Sequence, residues 1–116
     1  MGMFREAGPQ EMDIVKEMAE SLGSAGLRLE EILEKTNAAL VHVQQLLDRV
    51  RVESIGSFEP DFAVINESIR GYNALVDKAQ NALDWVLIQR EACGFRTHRN
   101  VHYYYPIPAK IKLLKP

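Results

Sequence analysis

The stretch Leu22-Gly23-Ser24-Ala25-Gly26-Leu27-Arg28-Leu29-Glu30-Glu31-Ile32-Leu33 decides the fold. Each glycine inside a helix costs about 1 kcal/mol relative to alanine, so a break here would leave three short helices. The apolar spacing argues otherwise. Leu22, Gly26, Leu29 and Leu33 continue a three–four alternation that starts at Met12 and runs through Thr36, Leu40, Val43 and Leu47 to Val50. A loop has no reason to keep that phase. The spacing therefore predicts one long helix over about residues 9–52, with any bend near Gly23–Gly26. Pro9 suits its first turn, and Glu11 and Asp13 suit the positive end of its dipole.

The same alternation returns as Phe62, Ile65, Ile69, Tyr72, Val76, Ala79, Leu83, Val86, Arg90 and Cys93, which predicts a second helix over about residues 60–93. Between the two lies Glu53-Ser-Ile-Gly-Ser-Phe-Glu59, read as a turn. Gly56 permits positive φ, Ser57 or Glu59 can cap, and Pro60 opens the next helix. Gly94 is the expected C-terminal cap. So short a connection joins antiparallel neighbours. Residues 1–94 are thus an all-α, coiled-coil-like helical hairpin.

Folding about a turn near residue 56 makes opposed positions sum to roughly 112. Leu40 then meets Tyr72, and Val86 falls beside Gly26 with Trp85 alongside. Two readings of the glycines stay open: a groove for the indole, or a flexible point in the helix. Met12 and Val15 are left opposite residues beyond Gly94, so the C-terminal segment is expected to fold back over the open end of the first helix, or over a partner's.

Residues 95–116 change character. Val101-His-Tyr-Tyr-Tyr105 is β-prone, Pro106 and Pro108 oppose helix, and Ile107, Ile111, Leu113 and Leu114 lack helical phase. An extended C-terminal arm is expected, with a short strand near 101–105.

With Met12 and Phe62 at heptad position a, the g positions are also apolar: Met18, Ala25, Ile32, Ala39 and Leu46 on the first helix, Leu75 and Ala82 on the second. The segment Ala82 to Ile88, with Trp85, Leu87 and Ile88, is apolar almost all round. Two helices cannot cover an a/d/g face. The cover is the tail, a second copy or another protein; the expected assembly is a homodimer closing into a four-helix bundle, with Met18, Ile32, Leu46, Leu75, Trp85, Leu87 and Ile88 at the interface.

At 116 residues with 47% hydrophobic and 26% charged residues, the chain fits one ordinary globular domain. No apolar run approaches the ~20 residues of a membrane span. The N-terminus leads into acidic amphipathic sequence, so no secretory signal is expected and a cytoplasmic location is the default. Position 6 is Glu, which opposes myristoylation at Gly2. A single cysteine, Cys93, excludes an internal disulfide.

Charge is uneven. Residues 1–89 hold 8 Lys/Arg and 15 Asp/Glu (8 − 15 = −7), and residues 90–116 hold 6 and 1 (6 − 1 = +5). An acidic body with a basic arm can pair with itself, with a partner, or with a polyanion.

Cys93, His98 and His102 offer soft sulfur and two imidazoles, but a structural zinc site needs a fourth ligand and the spacing fits no standard finger. A buried cysteine and two polar histidines is the preferred reading, with no metal or cofactor expected. His42 is read as a helix-surface residue. The carboxylates fall on polar faces, and there is no Glu-x-x-His motif, phosphate loop or nucleophile elbow. No enzymatic activity is expected.

The arm residues Arg96, Arg99, Tyr103, Tyr104, Tyr105, Lys110 and Lys112 combine cations with stacking rings, the ingredients of single-stranded nucleic-acid binding. The acidic body works against that. A protein–protein interaction module is the primary expectation, whether scaffold, adaptor or chaperone-like, and nucleic-acid binding is the alternative. Thr36 at d and Arg90 at a interrupt the seam. The threonine is expected to bond back to its own helix and the arginine to reach solvent at the helix end.

Overall fold

A computed structural model describes residues 9–53 and 61–115. Three helices follow in order: α1 (Pro9–Glu53), α2 (Phe62–Ala92) and the short α3 (Arg99–Tyr104). Helices α1 and α2 pack against each other, and no strand occurs among the described residues. The molecule is a rod of 75 × 21 × 17 Å. Its length is set by α1, whose 45 residues rise about 1.5 Å each.

Helix α1 runs unbroken through Gly23 and Gly26. A Cβ added at either glycine would meet nothing within 4 Å. Of the two readings left open for these residues, the indole groove is not supported: Trp85 lies by Ser21, Ser24, Ala25 and Arg28, and is 51% exposed.

Glu53, expected to open the turn, instead closes α1, and the rest of the expected turn and the placement of Pro60 fall outside the described residues. Helix α2 starts two residues later than expected, at Phe62. Asp61 is its N-cap, accepting from the Ala63 and Val64 backbone N–H groups at 3.0 and 3.4 Å. At the other end Gly94 adopts φ 96°. Its N–H donates to Glu91 O, and that of Phe95 donates to Arg90 O, both at 3.0 Å. These two bonds make a Schellman motif, with glycine where the left-handed conformation requires it.

The core forms two clusters along the hairpin. One contains Ala25, Leu29, Leu33, Ala79, Ala82, Leu83 and Val86, joined by Val101. The other contains Val43, Ile65, Ile69, Tyr72 and Val76, with Leu40, Leu47 and Val50 packed against it. Between them in sequence sits Thr36, fully buried. Its hydroxyl donates to Ile32 O at 2.7 Å and lies 3.4 Å from Leu75 O, so the polar seam residue is satisfied.

The C-terminal segment departs from expectation in two ways. Residues 99–104 are helical rather than a strand. With no neighbouring strand to bond, extended backbone here would be unpaired. One helical turn supplies Tyr105 N–H to Val101 O at 2.9 Å and buries Val101 in the first cluster. The segment also leaves most of the start of α1 open: Met12 stays 50% exposed, and half-buried Val15 faces only the head of the segment, at Phe95, across an apolar hollow. From Tyr105 onward it instead runs without regular structure along the hairpin, with Ile107, Ile111 and Leu114 packed on the core clusters.

Candidate interaction surface

An antiparallel hairpin has two flanks beside its a/d seam, one formed by the e positions of both helices and the other by the g positions. The C-terminal segment occupies the e flank. On α2, Asn66 and Asn73 are e residues one heptad apart. The Asn73 amide donates to Ile111 O at 2.9 Å, and Ile111 N–H donates back to Asn73 Oδ1 at 2.9 Å. Asn66 does the same for Leu114, donating to its carbonyl at 2.9 Å and accepting from its N–H at 2.7 Å. Each primary amide thus satisfies both main-chain groups of one residue.

The spacing explains the fit. Seven helical residues rise about 10.5 Å, and three extended residues span about 10 Å. A straight segment running antiparallel to α2 meets one clamp every three residues.

Other contacts follow the same track. The Tyr72 hydroxyl donates to Ala109 O at 2.6 Å, and burial pushes its phenol pKa up. The Tyr105 hydroxyl donates to Glu30 Oε1, on the e flank of α1, at 2.9 Å. That hydrogen bond raises the Tyr105 phenol, and burial and the carboxylate's charge add to the shift. Pro106, Ile107 and Pro108 lie beside Leu33, Glu34 and Asn37 of α1. Lys110 Nζ stands 2.7 Å from Asp77 Oδ1, so the basic arm meets the acidic body within one chain. Both partners are exposed, and such pairs contribute only about 0–1 kcal/mol.

A hook joins α2 to this segment. The Arg90 guanidinium lies 4.4 Å from the Phe95 ring centre. Its Nη2 donates to Thr97 O at 3.1 Å and its Nε to His98 Nδ1 at 3.3 Å. An accepting Nδ1 leaves the proton on Nε2, which donates to Glu91 Oε1 at 3.1 Å. Arg90 therefore does not simply reach into solvent; it folds the Gly94–His98 loop around itself.

The seven residues expected at an assembly interface divide. Ile32, Leu46 and Leu75, all g residues, are half-buried, with Ile32 on the first core cluster and Leu46 on the second. Leu87 is an e residue packed on the first cluster, on the flank taken by the C-terminal segment. Trp85 and Ile88 are 51% and 53% exposed. Met18 lines an apolar hollow of about 610 Å³ at the hairpin's open end, with Val15, Leu22 and Phe95.

Among the expected arm residues, Tyr105 and Lys110 are tied to the hairpin, while Arg96, Arg99, Tyr103, Tyr104 and Lys112 are exposed. Tyr103 and Tyr104 meet edge to face at 5.2 Å. Cys93, His98 and His102 do not converge: Cys93 Sγ is 3.8 Å from Met18 O, His98 is held by Arg90 and Glu91, and His102 is exposed. No group of three metal-ligating side chains occurs among the described residues.

Sequence reasoning missed Asn66, Asn73, Tyr72 as a donor, Glu30 and Asp77. A signal was present for the first two: Asn66, Asn73 and Gln80 stand seven apart at e, a row of primary amides beside an apolar seam.

No helix of the described residues is long and apolar enough to cross a membrane. No protein-family model, curated protein or solved structure matches the chain.

Proposed function

We propose that the protein is a non-enzymatic, cytoplasmic protein–protein interaction module, of scaffold, adaptor or chaperone-like type, that works as a homodimer. Two hairpins pair through their g flanks into a four-helix bundle. The observation supporting this is the unequal treatment of the two flanks: the e flank is filled by the chain's own C-terminal segment, whereas the g flank carries Ile32, Leu46 and Leu75 with half-exposed Trp85 nearby. A two-fold axis through that flank would set each apolar row against its copy. Light scattering on the full chain tests this. The expected mass is twice that of the chain, unchanged in high salt, and Ile32→Glu with Leu46→Glu returns it to one. A wild-type monomer at all concentrations refutes the dimer.

A second reading rests on Tyr103 and Tyr104, which are 77% and 71% exposed next to exposed Arg96 and Arg99. Rings and cations so placed suit unpaired bases and their phosphates. Retention of single-stranded RNA that weakens with salt, and is lost in Tyr103→Ala with Tyr104→Ala, would favour it over the first.

A further inference from the structure

We propose that the e flank is a recognition groove for extended peptides, and that residues 106–115 are its resident but displaceable occupant. This rests on the reading of the protein as an interaction module and names the chemistry of the partner.

Recognition is addressed mainly to the main chain. The four bonds from Asn66 and Asn73, and the Tyr72 bond to Ala109 O, fall on backbone atoms rather than on tail side chains. Side-chain selection is left to Ile107, Ile111 and Leu114 against the core and to Lys110 opposite Asp77. Lys112 and Lys115 are exposed and add nothing to the fit. The matching partner is an extended segment with branched aliphatic residues spaced four and then three apart, and a cation just before the middle one. Main-chain bonds for affinity with pockets for specificity is how extended peptides are generally bound.

The buried core is built almost wholly by the two long helices, and the groove segment rests on it. Among the described residues, the only buried core residue from beyond α2 is Val101, which lies upstream of the groove segment in α3, while Ile107, Ile111 and Leu114 are half-buried against the clusters. The occupant also leaves one rung unused. Three tail residues per heptad bring Pro108 to Gln80, but proline has no N–H to give. Gln80 donates instead to Asp84 Oδ1 at 2.9 Å.

The test uses the full chain carrying Ile111→Asp and Leu114→Asp, which weakens the resident tail and leaves the groove residues intact. A fluorescent peptide of residues 105–116 is titrated by anisotropy into this variant and into wild type. The peptide should bind the variant at least ten-fold more tightly, since the tethered tail competes at high effective concentration in wild type. Adding Asn66→Ala and Asn73→Ala to the variant should weaken binding at least ten-fold. Absence of saturable binding to a variant that keeps its helical circular dichroism overturns the proposal, as does binding indifferent to the asparagines. Loss of helix in the tail-weakened variant also overturns it, because the hairpin would then depend on its tail. Light scattering on the same samples separates the two ideas: peptide binding by a monomer upholds the groove while the dimer fails.

Discussion

Asn73 holds Ile111 by both polar groups of its main chain, with the two hydrogen bonds equal at 2.9 Å. The same reciprocal pair recurs one heptad away between Asn66 and Leu114. Replacing either asparagine by alanine removes two bonds from a half-buried site. A loss of about 1–3 kcal/mol is expected for each, with amide hydrogen exchange rising first at Ile111 and Leu114. Unchanged protection at both amides would contradict the clamp.

The glycines separate into two kinds. Gly23 and Gly26 are helical with open space where a Cβ would go, so Gly23→Ala and Gly26→Ala should each stabilise by about 1 kcal/mol. Gly94 has φ 96°, and Gly94→Ala should destabilise by about 1–2 kcal/mol. Urea midpoints moving in opposite directions would verify the division.

High pH should loosen the C-terminal segment. Tyr72 and Tyr105 both have phenols raised above their ordinary value of about 10. Each keeps its proton in the folded chain where the unfolded chain gives it up. Their contribution is therefore complete below about pH 10 and is lost as the pH rises through the folded values. Stability measured at pH 8 and 11 should fall less steeply in Tyr72→Phe and Tyr105→Phe than in wild type.

Arg90→Lys tests the hook. Lysine keeps the charge but cannot span the Phe95 ring, Thr97 O and His98 Nδ1 together. The variant should lose about 1–2 kcal/mol, and limited proteolysis should cut first between Gly94 and His98.

Long-range architecture was legible because periodicity carried it. The phase held by Leu22, Gly26, Leu29 and Leu33 led to the unbroken α1, and the sum near 112 anticipated Leu40 and Tyr72 in one cluster. Residues 101–105 misled because β propensity reports a pleated, half-buried environment that needs a neighbouring strand. Gly26 and Trp85 left two readings open because opposed numbers fix neighbours along the rod but not how far apart their side chains stand. The course of the C-terminal segment was hidden for another reason. Its binding uses main-chain atoms, which every residue shares, so its own sequence shows little of where it goes. The informative residues were on the receiving helix, at Asn66 and Asn73.

The e-flank groove is bounded by residues from both long helices, with Glu30 on one wall and Asn66 and Asn73 on the other. The clamps stand on α2, but Ile107, Ile111 and Leu114 rest on clusters that both helices build, so the full docking surface exists only once α1 and α2 have met. Its contacts are expected to form on the native side of the folding barrier. Weakening them should steepen the loss of native chains without slowing their formation. In a chevron analysis, Asn73→Ala would lift the unfolding arm and leave the folding arm in place. On that expectation the tail is a latch on lifetime, setting how long the folded rod persists rather than how fast it assembles.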